Sequence, residues 1–185
     1  MKKSYTGNEI KRYLRRKLTR EKYRHTLGVL NVSMKLAKKY KVDMKKTVLS
    51  ALLHDAGKEV ENNKKYLKSL KLDKYEKKIK ALWHNKLGEI IARKEFGIKD
   101  MEILSAIRKH STGDVKMSKL DKIIYISDII ERNRNFKGVD LIRRAAFLNL
   151  ETGFICALAK KINYVLNKKG LIHPRSIYAW NGYVK

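Results

Sequence analysis

Apolar residues recur at steps of three and four along most of this chain, which is the spacing of one buried face of an α-helix. Residues that favour the N-cap of a helix, Thr19, Asp43, Asp100 and Ser118, stand just before four of these segments. The predicted helices cover 9–18, 20 through at least 37, 44 to about 57, 79–96, 101–110, 119–130 and 140–170. The segment 58–78 is polar and weakly periodic, and 173–185 is expected to form an irregular or 3₁₀ tail that folds back on the body.

The scarcity of chain breakers agrees with this helical pattern. Pro174 is the only proline, and glycines are few for a protein with many turns. The chain has 185 residues, of which 43% are hydrophobic, which is enough for one compact core. The fold class is therefore predicted to be all-α. We expect a single domain over 1–185, with the functional core at about 20–135 and a long C-terminal helix and tail at 136–185.

The composition limits the kinds of partner that the protein could bind but does not identify one. The formal charge is +27, and the lysines are spread along the chain rather than gathered in a nucleic-acid-binding motif. This favours a solvated surface or a positive field that attracts a polyanionic small substrate, and a nucleic-acid partner is not favoured. The polar N-terminus and the lack of a long apolar run predict a cytoplasmic protein without a membrane span. Cys156 lies in an apolar segment and is expected to pack in the core.

Two acidic residues, Asp55 and Asp128, lie in apolar helical segments, where packing alone would not favour a charged side chain. His54 and Asp55 end the apolar segment that includes Leu52 and Leu53, and Asp128 interrupts a run of isoleucines. A buried carboxylate is costly unless it is paired or bound to a cation. Such carboxylates call for a cation or a strong network of hydrogen-bond donors. If a metal ion is the partner, imidazole and carboxylate ligands without thiolate suit iron or manganese, with zinc as a further option.

The order His25, His54-Asp55, Asp128 resembles the H…HD…D pattern of the HD-domain superfamily of metal-dependent phosphohydrolases. Further motifs are similar to the YqeK-type branch, the symmetrical bis(5'-nucleosyl)-tetraphosphatases, across roughly residues 20 to 181. These motifs are Arg24-His25-Thr-Leu-Gly-Val, Leu53-His54-Asp55-x-x-Lys58, Leu82-Trp83-His84, Ala106-Ile107-x-x-His110-Ser-Thr-Gly113, Ser127-Asp128-x-Ile-Glu131-x-Asn-Arg134 and Ile172-His173-Pro174. The chain departs from the branch where Arg132 replaces a usual proline, where Ser127 replaces a frequent alanine, and at Ala56-Gly57.

The resemblance implies an HD-type helical bundle that cuts diadenosine tetraphosphate into two molecules of ADP with iron. It implies that His25, His54, Asp55 and Asp128 hold a first metal ion. Asp55 could bridge to a second ion at His84 and His110, or these two histidines could donate hydrogen bonds to phosphate. The groups expected to take part in catalysis are Asp55, Lys58, His84 and His110. The groups expected to bind substrate are Lys58, His84, His110, Arg134 and His173.

Several alternatives remain open on the sequence alone. His173 could pack beside Pro174 instead of covering a nucleotide, and Asp121 is expected to cap a helix rather than bind metal. The substrate could be another nucleotide, such as a deoxynucleotide or a cyclic dinucleotide. A basic nucleic-acid-binding protein on a degenerate HD fold and a di-iron oxygenase on the same scaffold are further classes. A homodimer is open only because homodimers are common.

Overall fold

The structure is a computed structural model that describes residues 5–184, and within that range it contains helices and no strand. The all-α prediction is confirmed. The α-helices are α1 Gly7–Lys17, α2 Arg20–Tyr40, α3 Met44–Leu53, α4 Lys64–Leu67, α5 Trp83–Lys94, α6 Met101–Lys109, α7 Lys119–Ile130, α8 Val139–Leu148, α9 Leu150–Asn167 and α10 Pro174–Tyr183. Two 3₁₀-helices cover Ala56–Glu59 and Lys80–Leu82. No helix within the described residues is both long enough and apolar enough to cross a membrane.

The residues predicted as N-caps do cap their helices. Thr19, Asp43, Asp100 and Ser118 each accept a hydrogen bond from the backbone of the first turn that follows. Ser118 forms a capping box with Asp121, whose carboxylate receives the Ser118 backbone N–H at 2.9 Å. Asp121 is therefore a structural residue, as its sequence context predicted.

The central helix α7 joins two hydrophobic clusters. Leu120 and Ile124 pack with α1, α3, α5 and α6 on one side. Ile123, Ile126 and Ile130 pack with the end of α2 and with α8, α9 and α10 on the other side. Because α7 is buried on both sides, its few polar residues are held in fixed positions within the molecule.

The helix predicted over 140–170 is in fact two helices that meet at Asn149. The Asn149 N–H donates to the Ala145 carbonyl at 2.9 Å and so ends α8, while its side chain accepts from the Thr152 N–H at 3.0 Å and so begins α9. At the corner that follows, a Cβ atom on Gly153 would lie 2.4 Å from the Cα of Ala146. Glycine at this position therefore permits the close crossing of α8 and α9.

The tail is also more regular than predicted. Residues Pro174–Tyr183 form α10, with proline at the first helical turn, where its missing N–H costs nothing. The prediction of an irregular tail was wrong, because His173 caps a helix that Pro174 begins. The tail does fold back on the body, since Ala179 is fully buried and the Ser176 hydroxyl donates to the Thr112 carbonyl at 2.9 Å.

Two further helix boundaries differ from the predictions. Helix α3 ends at Leu53, and the chain passes through His54 and Asp55 into the 3₁₀-helix Ala56–Glu59 instead of continuing to residue 57. The helix predicted over 79–96 begins as a 3₁₀ turn, and its α-helical part is α5. Apolar spacing does not distinguish the two helix types in segments this short. Cys156 is half-buried against the cluster around α9 rather than fully enclosed.

Candidate metal centre

The end of α3 delivers the His54-Asp55 pair into the interior. Leu52 and Leu53 are fully buried and fix the last turn of the helix. The His54 Nδ1 lies 2.7 Å from the Ala51 carbonyl oxygen, and because a carbonyl only accepts, Nδ1 carries the proton. In the neutral ring the lone pair is therefore on Nε2, which lies 3.5 Å from Asp55 Oδ2 and has no hydrogen-bond partner within the described residues.

The backbone of Gly57 packs closely against the first turns of α5, and this contact positions Lys58 and His84. A Cβ atom on Gly57 would lie 2.2 Å from the His84 carbonyl oxygen and 2.7 Å from the Gly88 nitrogen. Only glycine allows the 3₁₀-helix that carries Lys58 to rest directly on the helix that carries His84. This contact brings the side chains of Lys58 and His84 to the same carboxylate, that of Asp55.

His84 and His110 meet at the ends of α5 and α6. The His110 Nδ1 donates to the Ile107 carbonyl at 2.7 Å, which leaves a lone pair on Nε2. This Nε2 lies 3.1 Å from the Nε2 of His84, and the Ser111 hydroxyl lies within 3.3 Å of both. The Ser111 hydroxyl donates to Asn85 Oδ1 at 2.9 Å, so its proton is already engaged.

Asp55 stands between two groups of histidines. Its Oδ1 is 3.5 Å from the Nε2 atoms of both His84 and His110, and it has no hydrogen-bond donor within the described residues. Its Oδ2 is 3.5 Å from His54 Nε2 and 3.7 Å from His25 Nε2. Each carboxylate oxygen thus faces its own pair of imidazoles, and the side chain is 3% exposed.

His25 and Asp128 complete the side of the site that includes His54. The Nε2 of His25 lies 3.1 Å from Asp128 Oδ1. On the other side of the ring, Nδ1 lies 3.4 Å from Glu131 Oε1, whose partner oxygen Oε2 accepts from the backbone and side-chain nitrogens of Asn133 at 2.8 Å. Glu131 is buried and so orients the imidazole of His25, in the way that a carboxylate orients a metal-binding histidine. Sequence reasoning placed Glu131 only within a motif and gave it no role.

Three cations surround the two site carboxylates. Lys58 Nζ lies 2.7 Å from Asp55 Oδ2, and Arg134 donates to Asp128 Oδ1 at 3.3 Å. The third cation, Lys161 from α9, donates to Asp128 Oδ2 at 3.0 Å. Sequence reasoning missed Lys161, because nothing in its local pattern separates it from the other lysines of α9. The structure does bring the predicted residues Lys58 and Arg134 to the site.

Burial and charge set the protonation of the cluster. Burial lowers the pKa of His54 to about 4 and that of His84 to about 3, so both rings are neutral at pH 7. Burial alone would raise the pKa of Asp55, but the surrounding imidazoles of His54 and His84 and the charge of Lys58 keep it well below its ordinary value. The pKa of Asp128 is likewise well below its ordinary value, because the charge of Lys161 and the adjacent imidazole of His25 outweigh its burial.

The orphaned atoms fit a divalent metal ion. Nε2 of His54 and Oδ1 of Asp55 are buried, have no hydrogen-bond partner within the described residues and lie among further imidazole nitrogens. Buried polar atoms without a partner are costly, and a cation would supply that partner. Two sets of ligand atoms each lie within 4.8 Å of one another, and they are His25, His54 and Asp128, and Asp55, His84 and His110.

His173 lies in a separate cluster with Asp73 and Glu76, whose ligand atoms also lie within 4.8 Å of one another. Its Nδ1 accepts the Arg175 N–H at 3.2 Å as the N-cap of α10, and its Nε2 lies 3.3 Å from Asp73 Oδ2. Both ring nitrogens are therefore engaged. Lys86 lies 2.5 Å from Glu76, and Arg175 lies 3.7 Å from Asp73, so these acids already have cationic partners. The contacts describe an ion-pair network that ties the tail to the loop before α5.

Comparison with known proteins places this geometry in a family. The HD-domain family matches residues 23–133, which is more than half of the chain and includes every histidine and aspartate of the two ligand sets. The HD domain implies binding of a divalent metal ion, in agreement with the convergent ligand atoms. Lys161 lies outside the matched segment.

Relatives and a solved structure cover nearly the whole chain. A protein of Halalkalibacterium halodurans named "Bis(5'-nucleosyl)-tetraphosphatase, symmetrical" is 36% identical over 89% of this chain and 89% of its own length. A protein of Bacillus subtilis with the same name is 32% identical over 91% of this chain and 92% of its own length. The crystal structure of a "predicted HD superfamily hydrolase involved in NAD metabolism" from Clostridium acetobutylicum is 34% identical, covers 98% of each chain and superposes with a TM-score of 0.90. The chain therefore belongs to the HD-domain family and, within it, to the family of symmetrical bis(5'-nucleosyl)-tetraphosphatases.

Proposed function

We propose that this protein hydrolyses diadenosine tetraphosphate at its central phosphoanhydride and releases two molecules of ADP. The observation that carries the proposal is the position of Asp55, whose two oxygens each face a separate pair of imidazoles in a chain closely similar to proteins with this activity in their names. One water is consumed, and the bond from the second phosphorus to the oxygen that bridges it to the third phosphorus breaks. Because a tetra-anion yields two ADP tri-anions, two protons are released when both new terminal phosphates are fully ionised. The substrate and its products carry several negative charges, which suits a chain of formal charge +27.

The ligand sets assign the metal-binding residues. His25, His54 and Asp128 would hold a first ion together with Oδ2 of Asp55. His84 and His110 would hold a second ion together with Oδ1 of Asp55. Ligands of nitrogen and oxygen without thiolate suit iron, and manganese and zinc are the alternatives.

The chemistry divides between the metal ions and the side chains of this protein. A divalent ion bound there lowers the pKa of a coordinated water to near neutrality and neutralises charge that develops on the phosphate. The exposed fractions of Lys58 and Arg134 are 35% and 44%, so both can donate to phosphate oxygens from the solvent side of the site. Glu131 keeps the His25 ring oriented, and Lys161 holds one oxygen of Asp128.

His173 has no part in the proposed reaction, because both of its ring nitrogens are engaged in the ion-pair network of the tail. Its contribution is to begin α10 and to fix that helix to Asp73. In this respect the proposal differs from the substrate-binding role that the resemblance implies.

Product analysis tests the proposal. Purified protein supplied separately with Fe²⁺, Mn²⁺ or Zn²⁺ is incubated with diadenosine tetraphosphate, and the nucleotides are resolved by chromatography. We expect ADP as the only nucleotide product. Equal amounts of ATP and AMP would contradict cleavage at the centre. Faster turnover of a deoxynucleoside triphosphate or a cyclic dinucleotide in the same assay would assign the metal centre to that substrate instead.

A further inference from the structure

A second concave surface lies beside the metal centre and shares none of the proposed metal ligands. It is a groove of about 680 Å³ between α2, the end of α7 and α8. Its volume lies in the range of small-molecule binding sites. Leu27, Val32 and Phe147 contribute apolar surface, and four cations line it, namely Arg24, Lys35, Arg132 and Arg143.

All charged side chains that line this groove are cationic. No aspartate or glutamate is among its lining residues. Within residues 5–184, Arg24, Lys35 and Arg132 make no ion pair or side-chain hydrogen bond, and all three are exposed. Arg24 and Lys35 lie on the same face of α2, eleven residues apart, with Gly28 and Asn31 between them. Three cations that have no protein partner around an apolar surface complement an anionic ligand with an apolar part, such as a nucleotide.

Arg143 differs from the other three because it is fixed in place. It donates to the carbonyl oxygens of Ile130, Glu131 and Arg134 at 3.0 to 3.1 Å, and to Asp140 at 2.8 Å. These bonds set the path of the chain directly after α7. That segment therefore has a defined shape where it borders the groove.

The same segment reaches the metal centre. Arg132 lines the groove, and two residues later Arg134 lies 3.3 Å from the site carboxylate of Asp128. The Glu131 side chain packs so closely on Gly28, which lines the groove, that a Cβ atom there would lie 2.2 Å from Oε2. The other oxygen of Glu131 lies 3.4 Å from His25. One buried side chain thus separates the groove from a proposed metal ligand.

We propose that this groove binds one ADP half of the dinucleotide while the metal centre, Lys58 and Arg134 hold the other half. The inference rests on the proposed function, since a substrate with two identical nucleotide ends needs a second place for a base and its phosphates. The phosphate chain would cross the segment from Arg134 to Arg132, with Arg24 as a further partner. The adenosine would lie against Val32 and Phe147.

Steady-state kinetics on diadenosine tetraphosphate test this assignment. The double variant Arg24→Gln, Arg132→Gln removes two groove cations, and the matched control Arg15→Gln, Arg20→Gln removes two exposed arginines of α1 and α2 that do not line the groove. For the double variant we expect KM to rise about tenfold with little change in kcat, because two charge-assisted contacts to phosphate are lost. The control should stay within about twofold of the wild type in both constants.

Inhibition by ADP identifies which half is affected. If ADP binds mainly at the metal centre, its inhibition constant stays near the wild-type value in the double variant while KM for the dinucleotide rises, and this result supports the proposal. A parallel rise of both constants would show that free ADP also binds in the groove, and this result supports the proposal as well. An unchanged KM in the double variant would overturn it as well. Absence of any turnover by the wild-type protein would instead refute the proposed function itself.

Discussion

The ammonium group of Lys161 donates hydrogen bonds to Asp128 Oδ2 at 3.0 Å and to the backbone carbonyl of His110 at 2.5 Å. It thereby joins one residue from each of the two proposed ligand sets. The lysine lies 4.2 Å from the centre of the Tyr125 ring, which is fully buried beneath it. Lys161 comes from α9, outside the matched HD segment, so the C-terminal part of the chain contributes a contact to the candidate metal centre.

Replacement of Lys161 by methionine should reduce turnover. With the ammonium removed, Oδ2 of Asp128 loses a donor and the carboxylate is free to rotate away from its proposed ligand position. We expect kcat to fall by about 10- to 100-fold, the usual effect of removing a group that orients a metal ligand. Lys161→Arg, which keeps a cation, should recover part of the loss. Lys160→Met is the control, since Lys160 lies over the Phe136 ring and away from the site. Wild-type kcat in Lys161→Met would contradict this role.

Glu131→Gln tests the orientation of His25. The amide keeps the size of the side chain but cannot accept at both of its ends, whereas the carboxylate serves His25 and Asn133 together. We expect the metal dissociation constant to rise by about 10- to 100-fold, measured by titration of metal into chelator-treated protein. Glu102→Gln, at an exposed glutamate paired with Lys46, should leave it unchanged. Equal affinities for both variants would show that Glu131 does not position the histidine.

Metal should stabilise the folded chain, because it would supply a partner to Nε2 of His54 and Oδ1 of Asp55, which have none within the described residues. At a free metal concentration of about 100 times the dissociation constant, the gain is roughly 2.7 kcal/mol. This corresponds to a rise in Tm of about 5 to 10 °C for a chain of this size. His54→Gln should remove most of this shift, and His173→Gln should retain it. Loss of the shift only in His173→Gln would move the metal to the cluster of Asp73 and Glu76.

Two glycine-to-alanine substitutions, one at the crossing of α8 and α9 and one in α10, should change the stability of the protein in opposite directions. Gly153→Ala would place a Cβ atom 2.4 Å from backbone of Ala146, and we expect a loss of about 1–3 kcal/mol in the free energy of unfolding. Gly182→Ala adds a Cβ atom within α10 at an ordinary 3.6 Å from Val115 and should gain about 0.5–1 kcal/mol. Urea denaturation of both variants measures the difference. Equal free energies of unfolding for the two variants would show that α8 and α9 lie further apart at Gly153 than they do in the structure.

The sequence predicted most of the helices because two local signals agreed. Apolar spacing gave the buried faces, and Thr19, Asp43 and Asp100 gave the starting points. Periodicity failed at Asn149, where the apolar pattern continues through a break in the backbone. Asn149 is itself a good N-cap residue, so more weight on capping would have found the break. The same holds for His173 before Pro174.

The site was predictable where a polar residue interrupts an apolar helix, as Asp128 does in α7. It was not predictable where position depends on how helices pack. Lys161 is one of 45 lysines and arginines, and only the packing of α9 on α7 brings it to Asp128. The cations of the groove are likewise gathered from three separate segments.

The two oxygens of Asp55, each of which faces its own pair of imidazoles, are central to the proposed metal site, and one paired measurement tests this role most directly. Wild-type protein and Asp55→Asn are loaded with the same divalent metal, and metal per chain and ADP released from diadenosine tetraphosphate are measured on the same samples. We predict bound metal and ADP as the only nucleotide product for the wild type. We predict loss of both for Asp55→Asn, with helical content retained in circular dichroism. Full turnover by a metal-free Asp55→Asn preparation would contradict the account.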